Sequence, residues 1–217
     1  MPITTGIIGL YQGVVENQID KFRRYLKLME PQITTSRDAW ETEKNKLASG
    51  ITDPDERNDF FEFYAEEYWE FEEYEMLLRN FFLVSVFAYL ESQLGRMCEF
   101  VMRRKKIALN WKELKGSTLD CAAKYLDRLG GVESPKKSPV WQKIQKYARL
   151  RNSIIHEDAR LKREDKDTWN FARRKGIISA DGTINENEIK ITPALCEALL
   201  KDVRLFLVKQ YDYLRDI

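Results

Sequence analysis

The sequence contains one histidine, three cysteines and no long apolar run. Cys98, Cys121 and Cys196 show no CxxC spacing, so we expect small core residues in a reducing compartment rather than disulfides. A single histidine and scattered cysteines also argue against a zinc site. The first ten residues lack the charged start and apolar stretch of a signal peptide, and the longest apolar run, residues 81–90, is too short to span a bilayer. The sequence therefore predicts a soluble, cytoplasmic protein without a metal or other cofactor.

Charge is balanced over the whole chain but strongly segregated along it. The 36 Lys and Arg and 35 Asp and Glu give a formal net charge of +1, which indicates no class of partner. Residues 53–75 are overwhelmingly acidic, with Arg57 as the only base. In residues 136–175, around His156, bases outnumber acids 13 to 5. A basic segment around the one histidine fits an anionic ligand better than a neutral one.

Apolar periodicity in the first part of the chain predicts helices. Residues 14–29 carry apolar side chains at spacings of three and four, which indicates an amphipathic helix, and Pro31 is expected to stop it. A weaker helix follows over residues 38–47 and ends before Gly50. Pro54 then begins the next helical segment.

The following segment has no further proline up to about residue 106, and Gly95 is its only glycine. This composition predicts one long helix, or two helices with a bend near Asn80. The acidic first part, residues 55–75, carries aromatic side chains nearly all round the helix. Such a helix is expected to pack on several sides, and we predict that it lies at a protein interface.

The last part of the chain is also predicted to be helical, with one exception. Thr118 is positioned to cap a short helix, apolar residues define a second helix over residues 140–155, and Pro193 begins the last one. Short β-prone pieces around Asp181-Gly182 predict a hairpin. The predicted fold is an all-α helical bundle with one small β-hairpin insertion.

The residues with the most specific chemistry lie near the end of the predicted helix over residues 140–155. There Arg151 and Asn152 precede the single His156 in an Arg-Asn-x-x-x-His run. Histidine can take and give a proton near neutrality, and the arginine fork binds phosphate oxygens, a combination that suits phosphodiester cleavage. The structural alternative is a histidine that caps helix carbonyls and an arginine in a surface ion pair.

In its all-helical setting, this run resembles the motif of HEPN-domain proteins, in which an arginine followed by a polar residue precedes a histidine by a short interval. The preceding long helix, with Phe87-Ala88-Tyr89-Leu90-Glu91, and the connector over residues 114–129 strengthen the resemblance. It implies a HEPN-like helical domain over residues 55–217, preceded by an N-terminal helical extension over residues 1–54.

The resemblance implies a metal-independent endoribonuclease that acts as a homodimer, in the setting of a toxin or an antiviral defence factor. In that interpretation His156 is the general base or acid, Arg151 stabilises charge on the phosphate oxygens, and Asn152 positions the imidazole or a phosphate. Attack by the ribose 2′-OH would leave a 2′,3′-cyclic phosphate. On an ideal helix Arg151 and His156 point about 140° apart, which favours a site shared between two chains.

Several further residues are candidates for a supporting role. We predict that RNA is contacted by five bases near the motif: Lys143, Lys146, Arg149, Arg160 and Lys162. Each could equally be a solvated surface charge. Glu91, on the preceding helix, is positioned to hydrogen-bond the site.

Two alternatives stand against this interpretation. The first is a non-catalytic HEPN-like module that binds RNA, a nucleotide or a partner protein, since a fold does not determine a function. The second is a toxin silenced by a partner enzyme that modifies a tyrosine just after the motif; it is disfavoured, because this chain has Glu157-Asp158-Ala159 there and no tyrosine. An inhibitor or activator protein of another kind remains compatible with the sequence. A serine hydrolase is disfavoured because no G-x-S-x-G run occurs.

Overall fold

The computed structural model describes residues 3–178, 187–215 and 217. Within these residues the chain forms seven α-helices: α1 (Ile3–Ala48), α2 (Pro54–Phe63), α3 (Ala65–Lys105), α4 (Thr118–Arg128), α5 (Trp141–His156), α6 (Lys166–Arg174) and α7 (Pro193–Asp212). Single 3-10 turns at Trp111–Glu113 and Pro135–Lys137 precede α4 and α5. No β-strand occurs in the described ranges, and the predicted all-α class is confirmed.

The predicted β-hairpin has its turn at Asp181-Gly182, which lies outside the described residues. Beside it, the described chain makes one isolated antiparallel bridge between Arg160 and Glu188. This bridge attaches the segment that enters α7 to the segment that leaves α5.

Helix α1 continues through Pro31, so the prediction that this proline ends a helix was wrong. A proline inside a helix costs about 3 kcal/mol, because it removes a hydrogen bond and crowds the preceding turn. Contacts with α3 on both sides of Pro31 offset that cost. Arg79 donates two hydrogen bonds to the Glu30 carboxylate, at 2.8 and 2.7 Å, and Arg37 pairs with Glu75 at 3.3 Å.

Of the two alternatives for the next segment, the bend near Asn80 was wrong, because α3 runs without interruption through that residue. The break between helices occurs instead at Tyr64, whose φ of −96° and ψ of 5° end α2 and begin α3. No proline or glycine marks this position.

Helix α3 lies at the centre of the bundle and contacts α1, α4, α5 and α7. Residues from the predicted N-terminal extension belong to the same core, since Val15 and Ile19 are fully buried in it. The hydroxyl of Tyr211 on α7 donates to the Gln93 side chain on α3 at 2.8 Å, and its ring stacks on Tyr11 of α1. α1 therefore packs directly on α3 and α7, the two helices against which α5 packs.

The three cysteines are buried and free, as expected for small core residues. Burial raises the pKa of both the Cys98 and Cys196 thiols to about 12. Among the described residues, no helix combines the length and the apolar character needed to cross a membrane.

Part of the helical structure extends beyond this core. Between Leu26 and Leu78 the only buried apolar side chain is Ala48, and α2 has no buried residue at all. We call residues 30–77 the arm. It consists of the second half of α1, α2 and the first turns of α3, and it contains the acidic and aromatic segment identified in the sequence.

Candidate functional site

The Arg-Asn-x-x-x-His run occupies the last turns of α5. The inner face of this helix carries the buried side chains Ile144, Tyr147 and Leu150. On an ideal helix four polar residues share an arc of about 60° on the outer face. We call this set the polar stripe: Gln145, Arg149, Asn152 and His156. Asn152 and His156, about 40° apart on an ideal helix, share this face and are both exposed.

The rotation of α5 is fixed by a polar contact with α7. The Tyr147 hydroxyl donates to one Asp202 oxygen at 3.1 Å, and the Lys143 ammonium lies 3.1 Å from the other. Burial, and then the neighbouring Asp202 charge, raise the pKa of Tyr147, so this hydroxyl stays a donor at neutral pH. A twist of α5 that turned the polar stripe inward would break both contacts.

Arg151 lies about 100° around α5 from Asn152, outside the stripe, and points toward α3. Its guanidinium forms an ion pair with the Glu91 carboxylate and lies 5.8 Å from the centre of the Phe87 ring. The Arg151 side chain is 20% exposed and that of Glu91 25%, so solvent screens the pair only in part. The hydrogen bond between Glu91 and the site, expected from the sequence, is thus made to Arg151, and it holds this side chain in one position.

A polar cleft of about 380 Å³ lies beside Arg151, between α5, α3 and the start of α4. Its lining comprises Glu91, Ser117, Thr118, Leu119, Asp120, Gln145, Ala148, Arg149, Arg151 and Asn152. The structure therefore brings Arg151 and Asn152 together at one cleft. His156 lies one turn beyond Asn152 and does not line it.

The residues from α4 were not identified from the sequence. Ser117, rather than the expected Thr118, caps α4, and its hydroxyl accepts the Asp120 N–H at 3.2 Å. Burial tends to raise the pKa of Asp120, but hydrogen bonds from Lys136 and Ser117 outweigh it and the pKa lies below its ordinary value. Asp120 therefore contributes a negative charge to the cleft at neutral pH.

His156 is the last residue of α5, and the chain turns sharply after it. Asp158 and Ala159 both adopt the left-handed conformation, with φ of 52° and 55°, which is costly for residues other than glycine. Glu157 accepts hydrogen bonds from Lys162 and from the Ser153 hydroxyl. The Lys162 hydrogen bond is the main cause that lowers the pKa of Glu157, and the proximity of His156 adds to it.

The five bases predicted to contact RNA lie around α5 in different environments. Lys143 pairs with Asp202, Arg149 pairs with Asp165 at 2.6 Å, and Lys162 pairs with Glu157. The Lys146 ammonium lies 5.6 Å from the centre of the Phe171 ring, and Arg160 forms the backbone bridge to Glu188. Of the five, only Arg149 lines the cleft. Their contact with RNA remains a prediction.

In comparisons with known proteins, no family model, curated protein sequence or solved structure matched this chain. The resemblance to HEPN domains therefore depends on the motif and its helical setting. Within the described ranges, no three histidine, cysteine or acidic side chains are grouped so that they could hold a metal ion.

The Glu91–Arg151 ion pair predicts a coupling energy between the two side chains. We expect Glu91→Ala and Arg151→Ala each to lower the free energy of unfolding by about 1–3 kcal/mol, because each leaves a half-buried charge unpaired. The double variant should lose about 1 kcal/mol less than the sum. Urea unfolding of the four proteins measures the coupling.

The exposed pair Arg103–Glu99 is the matched control for this measurement. Its atoms are 3.8 Å apart and its side chains are 79% and 44% exposed, so its coupling should be within about 0.5 kcal/mol of zero. Equal coupling energies for the two pairs would show that Glu91 does not hold Arg151.

Proposed function

We propose that this protein is a metal-independent endoribonuclease of the HEPN type, with a site composed from the α5 helices of two chains. The observation that carries the proposal is the arrangement of the motif. Asn152 and His156 are exposed on one face at the end of α5, while Arg151 is held by Glu91 at the rim of a polar cleft. A proton-transfer group and a phosphate-binding group thus lie at the same end of α5, on different faces of the helix.

The reaction consistent with these groups is attack by a ribose 2′-oxygen on the adjacent phosphorus. One imidazole takes the 2′-OH proton while the 2′-oxygen–phosphorus bond forms. The bond from phosphorus to the 5′-oxygen breaks, and that oxygen receives a proton from a second acid. The products are a 2′,3′-cyclic phosphate and a free 5′-hydroxyl. Arg151 stabilises the charge on the non-bridging phosphate oxygens while the one bond forms and the other breaks.

A second chain explains how Arg151 and His156 can act on one phosphate although they diverge around α5. Glu91 holds Arg151 toward α3, whereas His156 projects from the end of the polar stripe. A two-fold axis beside α5 would bring the Arg151 of one chain next to the His156 of the other. Ile155, 46% exposed beside His156, supplies apolar surface for such a contact.

A second candidate function, a non-catalytic module that binds RNA, a nucleotide or a partner protein, is favoured by a different observation. In the single chain Glu91 already neutralises Arg151, the group that would stabilise charge on the phosphate during cleavage. The biological setting that the HEPN resemblance implies, a toxin or an antiviral defence factor under the control of an inhibitor or activator, is compatible with either function.

The experiment that separates the two functions is cleavage of a structured RNA by the purified protein in EDTA. We expect cleavage without a divalent metal, product ends that carry 2′,3′-cyclic phosphate, and no cleavage of an RNA with 2′-deoxy substitutions at the sites cut. Cleavage that continues at a 2′-deoxy position would contradict attack by the 2′-OH. RNA binding without cleavage, on several RNAs, would support the non-catalytic module.

A further inference from the structure

The arm combines a dense negative charge with exposed aromatic rings. Residues 53–75 contain eleven acidic side chains and one basic one. The aromatic side chains in the same segment are not all covered, since Phe63 is 78% exposed, Trp69 56% and Tyr74 46%. Large aromatic rings left in solvent on an acidic surface indicate a contact that the single chain does not make.

One of the chain's own lysines shows what this surface can bind. The Lys44 ammonium lies 3.5 Å from the centre of the Tyr64 ring and 3.3 Å from a Glu67 carboxylate oxygen. The Lys44 side chain is only 12% exposed, and the Trp40 indole N–H donates to the same Glu67 carboxylate at 2.8 Å. An aromatic face and a carboxylate thus hold a cation together, which is the geometry of cation–π recognition.

A shallow groove of about 340 Å³ continues from this lysine along the arm. It is lined by Trp40, Glu41, Lys44, Asn45, Phe61, Ala65, Tyr68 and Trp69. The exposed carboxylates of Glu62, Glu66 and Glu70 lie on the helices that border it. The groove therefore offers more aromatic and acidic surface of the kind that already holds Lys44.

We infer that the arm is a docking surface for a Lys- and Arg-rich segment of a partner protein, whose cationic side chains lie on the exposed rings and pair with the surrounding carboxylates. Charge complementarity selects this occupant, because the arm carries fifteen acidic side chains against four basic ones and therefore repels RNA and anionic membrane surfaces. The aromatic rings add cation–π attraction to the attraction between opposite charges. The inference does not depend on the proposed ribonuclease activity.

The test uses the full chain and a short fluorescent peptide of alternating Arg and Ser, with binding measured by anisotropy. We expect the wild type to bind this peptide and not a Glu and Ser peptide of equal length. The double variant Phe63→Ser/Trp69→Ser, which keeps every charge, should bind about tenfold more weakly. The control Leu205→Ser, at a 50% exposed position on α7, should bind as the wild type does.

Two results would overturn the inference. If the wild type fails to bind the peptide, or if the Phe63→Ser/Trp69→Ser variant binds it with unchanged affinity, the rings do not recognise cations. If peptide binding is absent and the same variant turns a wild-type dimer into a monomer in sedimentation, the surface belongs to a second copy of this chain. Circular dichroism of both variants verifies that they fold, which is expected because the substituted side chains are exposed.

Discussion

Replacement of His156 by alanine should reduce the rate of RNA cleavage by about 10²- to 10⁴-fold, the usual contribution of a general acid or base. No other histidine exists in the chain to substitute for it. The same replacement should leave the free energy of unfolding within about 0.5 kcal/mol of the wild-type value, because His156 is exposed at the end of α5. A loss of activity would then report chemistry and not unfolding.

His156→Gln distinguishes proton transfer from a structural role of the histidine. Glutamine can still donate and accept hydrogen bonds at a helix end, but it cannot take or release a proton near neutrality. We expect the Gln variant to be as inactive as the Ala variant in single-turnover cleavage. Lys46→Ala, at an exposed position in the last turn of α1, is the control and should cleave at the wild-type rate. Full activity of His156→Gln would mean that the histidine only caps α5.

The sequence predicted those features of the fold that depend on local interactions. Pro54 and Pro193 occupy the first positions of α2 and α7, as predicted, and the residues before them, Asp53 and Thr192, accept hydrogen bonds from the first turns. These signals act within three or four residues, so they can be read from neighbouring letters. Pro31 misled the prediction because the contacts that keep α1 helical come from α3, between 38 and 49 residues away along the chain.

Helix α6 was not predicted, although its apolar signal is present. Thr168, Phe171 and Ala172 are buried at helical spacing, and Asp165 accepts the Thr168 N–H at 3.3 Å. The helix has nine residues and few of them are apolar, so the pattern is weak without α5 beside it. The Phe171 ring packs on Tyr147 of α5, with centres 5.5 Å apart, and this tertiary contact stabilises a helix that is too short and too polar to be stable alone.

The candidate site was predictable only in its local part. The order of Arg151, Asn152 and His156 and the shared face of the last two follow from the helical repeat. The direction of Arg151 could not be derived in this way, because it is set by Glu91, 60 residues earlier in the chain. The cleft likewise depends on where α4 packs, and no local spacing encodes that position.

A mixture of two inactive variants, Arg151→Ala and His156→Ala, should recover about a quarter of the wild-type activity. If subunits exchange at random, about half of the dimers contain one chain of each variant. In such a dimer one chain lacks Arg151 and the other lacks His156. The intact Arg151 of one chain and the intact His156 of the other therefore form one complete pair of the two that a wild-type dimer contains. Cleavage by the mixture, measured after subunit exchange, tests this expectation.

The double variant Arg151→Ala/His156→Ala provides the control that distinguishes a shared site from a site within one chain. Mixed with either single variant it should restore nothing, because no chain then supplies the missing group.

Mixed with an equal amount of wild type, the double variant should reduce activity below the half expected from dilution if the pair is shared. In a heterodimer of the wild type and the double variant, the wild-type Arg151 lies in one shared site and the wild-type His156 in the other. Each site then lacks one of its two groups. Activity that stays at half, together with no recovery between the single variants, would place Arg151 and His156 in the same chain. The 140° divergence along α5 would then have to be overcome by release of Arg151 from Glu91.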